Sequence, residues 1–161
     1  MNRVGSGIVA LALCFTFACA GADERYTEVL SRLPALEAGQ GRMFIYTRGR
    51  GFAMSFRPSV LVDGKAVGQS REGTFLVVDR SAGEHTVEVG QQGTFANFAG
   101  QLASAPARVT LLAGEPSYIE IEVVNAGPTL QAKVVPMQGP GGRDGIGGLA
   151  YAGGNVSPAQ N

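Results

Sequence analysis

Tyr118-Ile119-Glu120-Ile121-Glu122-Val123-Val124 is the stretch that decides the fold class. Ile119, Ile121 and Val123 fall on one face, Glu120 and Glu122 on the other. Successive side chains of a strand point to opposite faces, so this reads as a strand with one buried and one wet face. The paired carboxylates are then a solvated face rather than a general acid–base couple.

The same two-residue period recurs on both sides. Met43-Phe44-Ile45-Tyr46-Thr47 is a β-branched and aromatic run between Gly41 and Gly49. Ser59 to Asp63 leads through Gly64-Lys65 into Ala66-Val67-Gly68, and Asp63-Gly64 between apolar runs signals a hairpin. Thr74–Asp79, His85–Val89, Arg108–Leu112 and Thr129–Val135 complete the set, with turn residues at Ser81–Glu84 and Gly114–Pro116. No helical segments alternate with these runs, so a doubly wound parallel fold is not expected. The expectation is an all-β domain over residues 41–137: a small antiparallel β-sandwich of about seven strands, or a partly open barrel.

Upstream, residues 24–37 carry the one helical pattern, with Tyr26, Val29, Leu30 and Leu33 at i, i+3, i+4 and i+7. Asp23 stands where it could cap this helix and Pro34 where it ends or bends. Residues 21–40 are therefore read as a tether with a short helix. Downstream, the pattern stops at Gln138. Residues 138–161 are glycine-rich with few large apolar side chains, which predicts a flexible tail because little burial offsets the entropy of ordering it. Ile146, Leu149 and Tyr151 are its only potential docking element.

Residues 1–20 have the order of a secretory signal. Arg3 and the α-amine precede an uncharged stretch from Ile8 to Ala18, small residues follow, and charge arrives at Asp23 and Glu24. Those eleven residues would span about 16 Å as a helix, against a bilayer core of about 30 Å. Two cuts are open. Ala18-Cys19-Ala20 suits ordinary cleavage after Ala20, giving a soluble periplasmic product. Thr16-Phe17-Ala18-Cys19 resembles a bacterial lipobox, in which Cys19 becomes the lipidated first residue; Thr16 and Phe17 depart from its usual residues. Either way the mature chain has no free thiol and no disulfide.

The chemistry of common sites is absent from this composition. The 13 basic and 13 acidic residues balance, and loss of Arg3 leaves a mature charge of −1. That is no footprint for nucleic acid, which requires clustered cations. The single histidine, His85, has no Cys or His partners at metal-ligand spacing and reads as a turn-flanking side chain. No nucleophile elbow, phosphate loop or dinucleotide fingerprint occurs, so no catalytic, cofactor or metal residue is assigned. The most unusual polar stretch is Thr47-Arg48-Gly49-Arg50-Gly51-Phe52, with Arg57 and Arg71 beyond it. It reads as a solvated loop, with anionic headgroups, polysaccharide or an envelope protein as potential ligands. Phe95 and Phe98 stand in a second irregular stretch, 91–98.

Together, several segments resemble domain-of-unknown-function family 2846, found in small bacterial envelope proteins and lipoproteins. They are Gly41-Arg42-Met43-Phe44-Ile45-Tyr46 with Arg48, Val60 to Gly68, Gly73-Thr74-Phe75, Gly83-Glu84-His85-Thr86-Val87, and Ala113 to Ile119. The same turn pattern is similar to surface-layer-associated β-sandwich repeats. Ala82 stands where the family usually has proline before the glycine. The resemblance implies a β-sandwich with an envelope address and no catalytic residue. The expectation is an exported, non-catalytic binding or structural module, partnered by membrane lipid through Cys19 and by another envelope protein. The alternative is an envelope enzyme or subunit acting on cell-wall or lipid material. A reporter active only outside the cytoplasm, fused after Val89, should be active; cytoplasmic retention of that fusion would refute export.

Overall fold

All eight residues of Gln40–Thr47 are buried, and this strand, β1, lies between two others in the larger of two sheets. The structure is a computed structural model and describes residues 25–49, 57–90, 103–126 and 129–154. Among these, α1 is Tyr26–Arg32, β2 Ser59–Val62, β3 Lys65–Gln69, β4 Thr74–Ser81 and β5 Gly83–Gly90. They are followed by β6 Ala103–Ala105, β7 Ala107–Leu111, β8 Pro116–Ala126, β9 Thr129–Met137, α2 Pro140–Ile146 and β10 Ala150–Tyr151. One sheet has the order β10-β4-β1-β8-β9-β6, the other β3-β2-β5-β7.

Alternation sorts β1 into two cores. Met43 and Ile45 face inward with Leu76, Val78, Ile119 and Ile121, meeting Val60, Val62, Val87 and Val109 of the smaller sheet. Phe44 and Tyr46 face outward with Phe75, Val77 and Tyr118, where Tyr26 and Val29 of α1 and Ile146 of α2 cover them. Both faces of the larger sheet are thus buried at this level, each fully buried apolar side chain contributing roughly 1.5–3 kcal/mol.

The hairpin at Asp63-Gly64 forms as its residues demand. Asp63 has φ 52° and Gly64 φ 74°, the two positive values of a type I′ turn, with Val62 paired to Lys65. The short helix also forms, burying Tyr26 and Val29, though it ends at Arg32, short of Pro34, with Arg25 rather than Asp23 at its start.

Three expectations are corrected. The architecture is not purely antiparallel: β1–β8, β4–β10 and β6–β9 pair in parallel. The described residues contain ten strands rather than about seven; β6 and β10, which carry no long apolar run, are two of the additional ones. The segment from Gln138 is ordered to Gly154, forming α2 and β10; residues 155–161 lie outside the described residues. Its glycines are contact residues. A Cβ on Gly142 would lie 2.3 Å from Tyr118 Cβ, and one on Gly145 2.7 Å from Tyr46 Oη. Their bare backbone lets α2 lie directly on the aromatic face, where Ile146 is fully buried.

Gly142→Ala should therefore destabilise the protein by about 1–3 kcal/mol through overpacking, despite alanine's higher helix propensity. Gly148→Ala, with nothing within 4 Å of the added Cβ, should be close to neutral. Urea midpoints of the two variants check this, and equal midpoints would contradict it.

Candidate functional site

The side chains that the sequence singles out occupy different places. Arg48 follows β1 and donates from Nε to Glu120 Oε1 at 2.6 Å, while its Nη2 donates to Oε2. Glu120 is 2 % exposed, so the outer face of β8 is not solvated at this position as expected. The inversion has a local cause: Glu120 sits beside Tyr46 in the parallel β1–β8 register, on the face that carries the second core. Half-exposed Arg48 supplies the counter-charge that a buried carboxylate requires. Burial and then the neighbouring Glu120 carboxylate raise the Tyr46 phenol above its usual value. Among the described residues its hydroxyl, under Gly145, is buried without a hydrogen-bond partner.

Sequence reading missed a second pair. Arg42 and Asp79 stand directly opposite in the β1–β4 ladder, with Arg42 Nε 2.7 Å and Nη2 2.8 Å from the two carboxylate oxygens. Arg42 Nη2 also donates to the Pro34 carbonyl at 2.8 Å, tying the segment after α1 to the sheet. An arginine and an aspartate in otherwise apolar strands are visible signals, but their match depends on a register that neither strand reveals alone.

His85 lies at the end of the sandwich away from Arg48, buried near the start of β5. Nδ1 is 2.7 Å from Asp63 Oδ2, and Nε2 is 2.8 Å from the Ser81 carbonyl oxygen. A carbonyl oxygen only accepts, so Nε2 donates to it. With both ring nitrogens facing acceptors, neither is left as a base for a nucleophile. The imidazole instead joins the β2–β3 turn to the β4–β5 corner, in keeping with its reading as a turn and packing residue. Asp63 Oδ1 also accepts from the Thr86 N–H at 2.9 Å. Burial pushes the Asp63 carboxyl up, but the hydrogen bonds from Thr86 and His85 outweigh it and hold the group below its usual value.

A polar groove of about 360 Å³ lies at the end where α1 begins. Arg25, the turn from Arg71 to Thr74, and residues 148–150 line it. Backbone bonds build it: Gly73 N–H donates to the Thr47 carbonyl, Ala150 N–H to the Gly73 carbonyl, each at 2.9 Å, and Arg25 bridges to Ala150. Arg57 is brought to the same end by the Ser70 N–H donating to the Pro58 carbonyl at 2.8 Å. Arg71, Arg57 and Arg48, scattered in sequence, thus share one end. Cys19, Arg50, Phe52, Phe95 and Phe98 lie outside the described residues. Among the described residues no group of three or more His, Cys, Asp and Glu side chains is placed to hold a metal ion.

No family model, curated protein or solved structure matches the chain. The resemblance to domain-of-unknown-function family 2846 accordingly rests on the quoted residues alone.

Asp63, with its carboxyl held below the ordinary value of 3.8, contributes stability that is present above that value and lost as pH falls through its lower folded value. Asp63→Asn should therefore melt below the wild type at neutral pH, and the gap should close in acid below 3.8. Thermal melts of both proteins across pH test this; a gap unchanged in strong acid would refute it.

Proposed function

We propose that this chain is an exported cell-envelope protein whose β-sandwich is a non-catalytic binding or structural module, held at the membrane by lipid on Cys19. The observation that carries the reading is the use of its charged side chains. Arg48 and Glu120, Arg42 and Asp79, and His85 and Asp63 engage one another within the fold, linking strands, turns and the segment after α1. The signal-like order of residues 1–20 and the resemblance to an envelope family support the address.

The anchor has a physical requirement. Each buried methylene contributes roughly 0.8 kcal/mol, and stable attachment takes more than one acyl chain. Lipidation at Cys19 supplies such chains, with residues 20–24 as the link to α1. Ala20 rather than aspartate follows the cysteine, which favours an outer membrane as destination if the cell has one.

Fractionation of wild type and Cys19→Ser decides between the two cuts. Lipidation places the wild type in membranes and in the detergent phase, and Cys19→Ser loses that partitioning. If both appear in the soluble periplasmic fraction at one mature mass, cleavage follows Ala20 and the anchor is refuted.

A further inference from the structure

We infer that the groove formed by Arg25, the 71–74 turn and residues 148–150 receives the phosphate of a phospholipid headgroup, so that this end of the sandwich faces the bilayer. The inference rests on the lipid anchor proposed above and adds to it an orientation and a ligand.

Reach is the first argument. Arg25 is six positions after Cys19, and at no more than about 3.3–3.6 Å per residue the link spans about 22 Å at most. Acyl chains on Cys19 therefore keep the start of α1 close to the headgroups. Arg25 is the residue before α1 and also a wall of the groove, which puts the groove within that reach of the anchor.

The chemistry of the wall is the second. Arg25 and Arg71 are exposed, come from separate segments and converge on one groove with Thr74. Two guanidinium groups suit a phosphate, whose oxygens accept charge-assisted hydrogen bonds from their planar forks. The Thr74 hydroxyl is committed to the Arg71 carbonyl at 2.8 Å, which fixes the turn and leaves the arginines as the donors.

Acidic groups select among headgroups. Glu72 lies on the groove wall and Glu28 is in the first turn of α1. Such surroundings disfavour a densely anionic surface. They match a headgroup that carries its own ammonium beside the phosphate, as phosphatidylethanolamine does.

The test uses full-length lipidated protein in phosphatidylethanolamine-containing vesicles with a headgroup nitroxide lipid. Single fluorescent labels are placed at Gln69→Cys, near the groove, and at Glu115→Cys, at the far end. The near label should be quenched at least several-fold more than the far one. Arg25→Gln with Arg71→Gln should abolish that preference while the protein stays in the membrane fraction with an unchanged circular dichroism spectrum. Equal quenching of the two labels in the wild-type background, or a preference that survives the double substitution, overturns the inference but leaves the anchor standing. If fractionation shows no lipid on Cys19, the anchor fails, and the groove is tested separately on the mature soluble protein. Saturable binding of short-chain phosphatidylethanolamine, weakened about tenfold or more by the double substitution, supports the headgroup site. No binding, or equal binding of inorganic phosphate, overturns it.

Discussion

Phe44 stacks on Tyr118 with ring centroids 5.4 Å apart and planes 17° from parallel, and most of the outer layer is arranged around that contact. It requires β1 and β8 to lie side by side in the parallel register that sets Phe44 against Tyr118. Tyr26 meets Phe44 edge-on at 5.3 Å and shares a hydrogen bond with the Tyr118 hydroxyl at 2.7 Å, so α1 depends on the same two rings. From the other side, Gly142 rests on Tyr118 and Gly145 on Tyr46. The larger sheet consequently needs two apolar faces, one for its partner sheet and one for the terminal segments.

Burying both faces has an electrostatic consequence. Charged residues at the ends of the central strands enter low-dielectric surroundings, where an unpaired ion would cost several kcal/mol. Each is matched by a partner on a neighbouring element: Asp79 for Arg42, Arg48 for Glu120. These contacts fix strand register more than they add net stability, since desolvation offsets much of the attraction. By contrast, the exposed pair of Arg108 and Glu84 at 3.4 Å contributes little.

Local features of this fold are legible in the sequence, and relations between distant segments are not. Alternation at Ile119, Ile121 and Val123 announces β8, Asp63-Gly64 announces its hairpin, and the spacing of Tyr26, Val29 and Leu30 announces α1. Each signal is carried by neighbouring residues and one dihedral preference. The parallel β1–β8 pairing has no such carrier, because nothing in either strand states its neighbour. Glu120 looked solvated for that reason: alternation assigns it a face but not what covers that face. The glycines after Gln138 misled in another way. Their composition signals entropy, whereas their function is close approach, and only the positions of Tyr46 and Tyr118 reveal it. Of the groove's arginines the sequence reading singled out Arg71 but not Arg25, because the two come together only through backbone bonds at Gly73 and Ala150.

The terminal layer sets the order in which the molecule can be completed. Tyr26, among the first described residues, is bonded to Tyr118, 92 positions later, and its own strap of α2 and β10 is made later still. Until that strap emerges, Phe44, Tyr46 and Phe75 have no full cover, and β4 lacks its outer neighbour. A chain made from its N-terminus therefore cannot close its second core until residues 140–151 are available. Loss of either flank would leave the aromatic face of the larger sheet open to water.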